Sequence, residues 1–369
     1  MAVRQTSVGR VTQMMKAMSG SEEKEGLKDG KVAADIDRYN AMHDDSKMDA
    51  KERSSAYAEL VNSYYNLATD FYEWGWGQSF HFAEKLAGES FGSSIARHEY
   101  YLAMRLGLKP SDRVLDCGCG IGGPLRNIGR FSGASIVGAT INLYQVNRGN
   151  ALCKQAQLDK CKLVQADFHK LPFDDASFDH CYSIEACCHS PDRKDVYREV
   201  YRTLKPGGCF VSYEWCLTDK YDASNAAHRL AKKKIEEGDG LPDIIHTKVC
   251  DAALKEIGMQ MIESRDCALD ANPGGEPWWV ILTPSYFNIF RLQFTTIGYF
   301  LMNIVLTFME MIRLAPKGSG KVRVRVRVRG RVRVRVRVSD PPRAQGQRQG
   351  ARAATSGSTH ARYEWLTLP

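Results

Sequence analysis

The stretch Val114–Pro124, read as VLDCGCGIGGP, decides the fold of this chain. The apolar run that ends at Asp116 predicts a buried strand. Four glycines follow, at positions 118, 120, 122 and 123. Glycine has no Cβ, so this segment can turn tightly and let a ligand approach its backbone. A helix is predicted from about Pro124, which makes this a strand, a glycine-rich turn and a helix in succession.

Strand and helix patterns alternate on both sides of this turn. Such alternation predicts an α/β fold with a doubly wound, mostly parallel sheet and helices on both of its faces. The predicted strands cover 113–117, 135–139, 162–165, 178–184, 209–215 and 260–266, and the predicted helices cover 60–71, 94–106, 124–130, 144–155, 192–203 and 247–257.

Composition divides the 369 residues into five segments. The first, rich in charged and small residues, is predicted to be a mobile arm, and the last is a low-complexity tail, either disordered or aberrant. The segments are 1–54 (arm), 55–110 (N-terminal helices and an aromatic loop), 111–270 (the α/β domain), 271–317 (an aromatic, apolar module) and 318–369 (tail).

Charge and cysteine usage exclude some classes of protein. The Val-Arg tract at 322–338 contains eight arginines, which equals the net charge of +8 and leaves the rest of the chain neutral. The basicity therefore describes the tract, and no specific nucleic-acid partner is expected. The eleven cysteines form no paired framework, which favours reduced thiols in the cytosol. The N-terminus lacks the apolar core of a signal peptide.

The surroundings of the turn indicate which cofactor it binds. The strand IVGAT (136–140) and the segment ADFHKLPFDDASFD (166–179) complete the layout of an S-adenosylmethionine (SAM) site rather than a dinucleotide site. SAM is thus the predicted cofactor, and no metal is expected. Where an acid commonly binds the ribose, this chain has Thr140 to Leu143. The predicted cofactor-binding residues are Asp116, Gly118, Gly120, Gly122, Thr140, Asn142, Gln145, Asp167, Phe168 and Ile184, with Asp167 and Phe168 assigned to the adenine.

Five segments together resemble the sterol 24-C-methyltransferase family. They are YEWGWGQSFHF (72–82), LDCGCGIGGP (115–124), NLYQVNR (142–148), YSIEACCHSPD (182–192) and LKPGGCFVSYEW (204–215). The likeness covers about residues 57–317. It implies a class I SAM methyltransferase (Rossmann-like) with a C-terminal sterol-methyltransferase module. The implied activity is methyl transfer from SAM to the C-24 side-chain alkene of a sterol.

An alkene is a weak nucleophile, and its methylation leaves a carbocation. The site must therefore align the π bond with the methyl group and tolerate positive charge. Aromatic faces stabilise a cation without attacking it, although the same loop could serve only as a hydrophobic lid. The predicted substrate-binding residues are Tyr72, Trp74, Trp76, Phe80, His81 and Phe82.

Turnover also needs a base that removes a proton from the cation. The candidates are Glu185, His189 and Glu214, with Glu73 and His81 in the aromatic loop as alternatives. Ligands of open α/β sheets gather at the carboxyl ends of strands, which favours the first three. A carboxylate in an apolar pocket has a raised pKa, which suits a base. For His189 a structural role as a cap or an orienting group is the alternative.

The uncharged run 292–309 is near the lower length limit of a membrane-spanning helix. Its glycine, asparagine and threonines disfavour a span. We expect a helix that forms part of the sterol pocket and rests on the membrane surface, with an ordinary core helix as the alternative. The resemblance then implies peripheral association with the cytoplasmic face of the endoplasmic reticulum. A homo-oligomer is compatible with the sequence.

The tail departs from the family pattern. The family has a last strand that inserts antiparallel between the fifth and sixth strands, and the Val-Arg tract stands where it is expected. The sequence therefore predicts that this strand is missing or replaced, which exposes two strand edges and could inactivate the protein. Two other functions stay open: methylation of another lipid or small molecule, and a non-catalytic role for the basic tail in binding RNA or acidic membranes.

Overall fold

The computed structural model describes residues 75–266, 274–283, 295–311 and 362–367, with single residues at 56, 58, 61, 62, 65, 69, 72, 73, 285 and 292. The N-terminal arm and most of the tail lie outside these residues. The helices are α1 (Phe91–Leu106), α2 (Gly123–Ser132), α3 (Leu143–Gln155), α4 (Arg193–Thr203), α5 (Ala226–Asp239), α6 (Thr247–Glu256) and α7 (Thr296–Met311). The strands are β1 (Arg113–Cys117), β2 (Ser135–Thr140), β3 (Cys161–Gln165), β4 (Phe178–Ile184), β5 (Leu204–Glu214), β6 (Gln260–Asp266) and β7 (Arg362–Thr367).

These strands form one sheet in the order β3-β2-β1-β4-β5-β7-β6. The first five run parallel, and β7 runs antiparallel to both of its neighbours. Strand β1 lies between β2 and β4, so the chain order reverses beside it, and ligands bind at such a point at the carboxyl edge. The doubly wound α/β prediction is confirmed.

The sheet is covered on both faces, because successive side chains of a strand point in opposite directions. Val114 of β1 packs in a cluster with Leu102 of α1 and Ile128 of α2. Its neighbour Leu115 packs on the opposite face with Val200 of α4. These residues are fully buried, which holds the carboxyl ends of β1 and β4 in a fixed place.

The predicted gap in the sheet is filled. Residues 362–367 form β7 between β5 and β6. Trp365 of β7 lies opposite Val211 of β5 on one side and opposite Glu263 of β6 on the other. The prediction that the family's last strand is missing or replaced is therefore confirmed in its second form, and both β5 and β6 have a partner. The sequence RYEWLT contains the aromatic and β-branched residues that favour strands. A segment beyond the Val-Arg tract thus occupies the position of the family's last strand.

Of the helices α5 and α7, only α7 was predicted from the sequence. Helix α5 was not predicted because its sequence, AAHRLAKKKIEEGD, has little apolar periodicity, and none of its residues is fully buried. Helix α7 covers most of the uncharged run, as predicted, and continues through Glu310 to Met311. Among the described residues, no helix combines the length and apolar character needed to cross a membrane.

Candidate active site

A cleft of about 780 Å³ opens at the carboxyl edge of β1, β2 and β4. It is lined by residues of the glycine-rich turn, of the loops after β2, β3 and β4, and of the aromatic loop. The lining residues are Val61, Tyr65, Gln78, Phe80, His81, Asp116, Gly118, Cys119, Gly120, Ile121, Pro124, Thr140, Ile141, Gln145, Asp167, Phe168, Ile184, Glu185, Ala186 and His189. Most of the predicted site residues are thus brought together in one place.

The glycine-rich turn is shaped by close backbone approaches. A Cβ on Gly118 would lie 2.2 Å from the Cβ of Ala186, and a Cβ on Gly123 would lie 2.0 Å from the carbonyl oxygen of Gln78. Gly118, Gly120 and Gly122 also have φ angles of 88°, 54° and 72°, which side-chain-bearing residues rarely adopt. The turn therefore leaves backbone exposed to the cleft, as SAM binding requires. Gly122 itself does not line the cleft but caps α2.

Asp116 lies at the end of β1 beneath this turn and is 2% exposed. Its Oδ2 accepts a hydrogen bond from the Tyr182 hydroxyl at 2.9 Å. Burial raises the pKa of Asp116 to about 7, although the Tyr182 hydrogen bond opposes the shift. A cationic group in the cleft would favour the ionised form, which suits the ammonium and sulfonium charges of SAM.

Thr140, at the end of β2, and Gln145, on α3, are two of the residues predicted to bind the ribose. The Thr140 hydroxyl donates to Gln145 Oε1 at 2.7 Å, and Gln145 Nε2 lies 3.3 Å from the Thr69 hydroxyl. Both side chains line the cleft. Asn142 does not, because its Oδ1 accepts from the Gln145 N–H at 3.0 Å and caps helix α3. For Asn142 the ribose-binding prediction is therefore corrected to a capping role.

Asp167 and Phe168 line the same end of the cleft, as expected for the adenine. Asp167 Oδ1 accepts from the backbone N–H of His169 at 2.9 Å and lies 2.8 Å from its Nδ1. His169 Nε2 lies 2.7 Å from the Ser190 hydroxyl. These contacts fix the loop, so Asp167 is an anchored carboxylate with its side chain 38% exposed.

Glu185 occupies the centre of the cleft. Its φ of 52° lies in the left-handed region, a strained conformation for glutamate of a kind found at functional sites. Its Oε1 accepts from the Phe82 N–H at 3.0 Å, and its Oε2 accepts from the Trp215 indole N–H at 3.0 Å. Burial raises its pKa to about 7, while His81 and the two hydrogen bonds oppose the shift.

His189 also lines the cleft, but its bonding differs. Its Nδ1 lies 3.2 Å from the carbonyl oxygen of Gly240, so Nδ1 carries the proton. Its Nε2 therefore accepts from the Tyr65 hydroxyl at 3.0 Å. Burial lowers the pKa of His189 to about 4. Both nitrogens of the neutral ring are engaged, which favours the structural alternative over the role of base.

Glu214 does not line the cleft. The residue is 4% exposed; its Oε1 accepts from the Cys187 N–H at 3.2 Å and from the Ser212 hydroxyl at 2.7 Å. Arg193 is 4.0 Å from its Oε2. This geometry removes Glu214 from the candidate bases, because it lies behind the loop that follows β4. Glu73 is likewise engaged elsewhere, in an ion pair with Arg148 at 2.6 Å.

The aromatic loop meets other aromatic side chains beside Glu185. The ring of Phe82 lies 4.8 Å from Trp76, 5.5 Å from Trp215 and 5.1 Å from Trp278 between centroids, all edge to face. Sequence reasoning missed Trp215 and Trp278, since they lie far along the chain. Of the predicted loop residues, only Phe80 and His81 line the cleft, and Tyr72 packs on Phe80 at 5.2 Å. Trp74 lies outside the described residues.

His81 serves the architecture of the loop. Its Nε2 lies 3.1 Å from Glu99 Oε1, in an ion pair of which both members are buried. Burial lowers its pKa, but the hydrogen bond and charge of Glu99 outweigh this and raise it. Glu99 also accepts from Ser79 and Asn127, each at 2.6 Å.

In the part of the chain that the structure describes, no group of three or more His, Cys, Asp or Glu residues could hold a metal.

Comparison with known proteins agrees with this geometry. Residues 115–212 match the methyltransferase domain family, and residues 287–327 match the sterol methyltransferase C-terminal family. The cycloartenol-C-24-methyltransferase of Arabidopsis thaliana is 47% identical over 292 residues, covering 79% of this chain and 86% of that protein. The sterol 24-C-methyltransferase of Saccharomyces cerevisiae is 44% identical over 283 residues, covering 74% and 73%.

A solved structure shares the fold. Geranyl diphosphate methyltransferase, in complex with GPP and sinefungin, superposes with a TM-score of 0.50 at 17% identity over 58% of this chain and 84% of that chain. At this identity the likeness concerns the fold alone. The relatives of much higher identity, which this chain covers over most of their length, carry the assignment: the chain belongs to the sterol 24-C-methyltransferase family.

Proposed function

We propose that this protein transfers the methyl group of SAM to the C-24 side-chain alkene of a sterol. The observation that carries the proposal is Glu185. It is a half-buried carboxylate, held by two N–H donors, that lines one cleft together with the glycine-rich turn. Family membership, at 47% identity to a cycloartenol-C-24-methyltransferase, supports the substrate class. The pairing of β7 supports an intact sheet and argues against an inactive chain.

When bound, SAM supplies an electrophilic methyl group on a positive sulfonium centre. The exposed backbone of Gly118 and Gly120 and the side chains of Thr140, Gln145 and Asp167 would hold it. Phe80 and His81 wall the opposite side of the cleft. They exclude water, and they hold the alkene in line with the methyl group when it binds there.

Glu185 is proposed as the base of this reaction. As the alkene π electrons form the new C–C bond, the sulfur–methyl bond would break and its electron pair would stay on the sulfur, which leaves the positive charge on the neighbouring side-chain carbon. An ionised Glu185 takes a proton from a carbon bonded to the positively charged carbon. The electron pair of that C–H bond forms the new double bond. The ring of Phe80, which lines the cleft, stabilises the positive charge until then, and the rings of Trp76, Phe82 and Trp215 pack together beside Glu185. Glu185 afterwards returns the proton to solvent.

One experiment tests the proposal directly. The purified chain is incubated with isotope-labelled SAM and a panel of Δ24 sterols, and the products are identified by mass spectrometry. We expect label in a C-24 methylated sterol. Transfer to a fatty acid, a tocopherol precursor or a phosphobase, with none to any sterol, would favour another methyltransferase function.

We also infer that the protein rests on a lipid surface, since its proposed substrate is a membrane lipid. On α7, Ile297, Phe300, Leu301 and Ile304 share one helical face, and each is between 49% and 64% exposed. An apolar helical face of this kind inserts into the boundary between headgroups and acyl chains. The cytoplasmic face of the endoplasmic reticulum is the proposed location, to be checked by imaging of a tagged chain. A homo-oligomer stays a prediction.

Liposome flotation tests this membrane contact. The double substitution Phe300→Glu with Ile304→Glu should abolish flotation. The matched control Leu230→Glu changes an equally exposed leucine on α5, at 53%, and should leave flotation intact. Loss of flotation in both variants, or in neither, would contradict the assignment of this face.

A further inference from the structure

The carboxylate of Glu185 is held from two different parts of the chain. Phe82, in the aromatic loop, donates its backbone N–H to Oε1, and Trp215, directly after β5, donates its indole N–H to Oε2; both distances are 3.0 Å. An ionised carboxylate accepts at both oxygens. A protonated one has a hydroxyl at one of its oxygens, and a hydroxyl oxygen is a weaker acceptor for an N–H than a carboxylate oxygen. This arrangement therefore favours the ionised form.

The loop side of this contact is itself fixed. The peptide unit between His81 and Phe82 donates to Glu185 through its N–H, and its carbonyl accepts from the Trp76 indole N–H at 3.1 Å. The His81 ring holds the next carbonyl, that of Phe82, at 3.0 Å. Glu185 is thus one end of a hydrogen-bonded chain that runs through the backbone of the loop. Trp215 is the donor that does not belong to this loop.

We propose that Trp215 is a positioning residue for the methyl-transfer reaction: its indole N–H, with the Phe82 N–H, keeps the Glu185 carboxylate ionised, aimed into the cleft and bonded to the aromatic loop. This inference rests on the proposed function, in which Glu185 is the base. Proton capture by Glu185 then weakens the bond to Phe82 and loosens the loop when product is ready to leave.

The other ionisable groups around Glu185 come from each neighbouring element. They are His81 on the loop, Asp239 at the end of α5, Tyr65 on the segment before the loop and Cys188 after β4. His81 favours the ionised form of Glu185 and Asp239 opposes it. Trp215 is uncharged, so its effect on the ionisation of Glu185 can be separated from the effects of these charged groups. It supplies one hydrogen bond to the ionised carboxylate.

The test compares Trp215→Phe with Trp278→Phe. Both replacements keep an aromatic ring in the same cluster, but the indole nitrogen of Trp278 has no hydrogen-bond partner among the described residues. A lost hydrogen bond to a charged group is equivalent to about one pKa unit. In Trp215→Phe, the acidic limb of kcat against pH should move upward by about one pH unit. In Trp278→Phe the midpoint of the acidic limb should stay at the same pH, even if kcat itself changes.

A second readout needs no turnover. Hydrogen-exchange protection of the Phe82 amide, measured without substrate, should fall as pH drops through the Glu185 titration, and Trp215→Phe should shift that fall to higher pH. An unchanged midpoint in folded Trp215→Phe, or equal shifts in both variants, would overturn the proposal. If no sterol is methylated by any variant, the proposed function fails, while the Phe82 amide still decides the role of Trp215.

Discussion

The carbonyl oxygen of Gln78 lies 2.0 Å from the point where a Cβ on Gly123 would stand, so the aromatic loop packs directly on the start of helix α2. The same loop contacts this helix again, because Arg126 donates to Gln78 Oε1 at 2.8 Å. The part of the chain that faces the sterol and the part that faces SAM therefore share a contact surface. A change at Gly123 should disturb both.

We expect Gly123→Ala to lower the free energy of unfolding by about 1–3 kcal/mol, the usual range for an overpacked site. SAM affinity should fall with it, as measured by calorimetry. The control is Gly92→Ala in α1, where nothing lies within 4 Å of the added Cβ and helix propensity favours alanine. Equal stability in the two variants would show that the loop adapts easily.

Glu185→Gln should reduce kcat by about 100-fold or more, as expected for loss of a general base. Its SAM dissociation constant should change far less, because the cofactor contacts lie on other loops. Single-turnover rates and equilibrium binding separate the two quantities. Glu214→Gln provides the contrast, since Glu214 is a more deeply buried carboxylate that lies outside the cleft. A folded Glu214→Gln enzyme without turnover, beside an active Glu185→Gln enzyme, would reverse the assignment.

Trp76→Leu should weaken sterol methylation about tenfold or more, because Trp76 packs on Phe82 and its indole N–H holds the His81 carbonyl, which places the aromatic loop against the cleft where the cation forms. SAM binding should be retained, because Trp76 packs on Phe82 and Phe91 rather than on the glycine-rich turn. Trp76→Phe keeps an aromatic face and should recover part of the rate. An unchanged rate at saturating sterol in Trp76→Leu would leave the loop only the function of a lid.

Stability should decrease as pH rises from about 4 to 7. Burial raises the pKa of Asp116, Glu185 and Asp239 to about 7 from ordinary values of 3.8, 4.5 and 3.8. Between those limits the folded state binds more protons than the unfolded state, so stability is lost as pH climbs through the folded pKa. Asp239→Asn should reduce this loss in thermal melts. The exposed Asp174→Asn should not, and equal slopes would contradict the expectation.

Much of the fold was predictable because its signals are local. The strand at Val114 and the turn at Gly118 follow from residues adjacent in sequence, and the structure places both where expected. Asp167 was found for the same reason, since it follows a strand directly. These features depend on the period of apolar residues and on the freedom of glycine, which can be read from one short window.

The remainder depends on contacts between distant segments. Nothing near Trp215 in sequence indicates that its indole meets Glu185, and Asn142 could equally have capped a helix or bound a ribose. The Glu99 cluster was missed for the same reason: Ser79 and His81 of the aromatic loop and Asn127 of α2 converge on it. The strand at 362–367 was not foreseen because the family's last strand was expected at the position where the Val-Arg tract stands.

Strand β7 has a further consequence for how the chain reaches this state during synthesis. Its two partners, β5 and β6, leave the ribosome long before it does, and their facing edges must wait for a segment that comes after the whole Val-Arg tract. Until it arrives, both edges can pair with the wrong strand or with another nascent chain. A ribosome that stalls within the tract would release a chain that contains every residue of the cleft but lacks β7. In such a chain β5 and β6 have no strand between them, and chaperones and proteases would act on it.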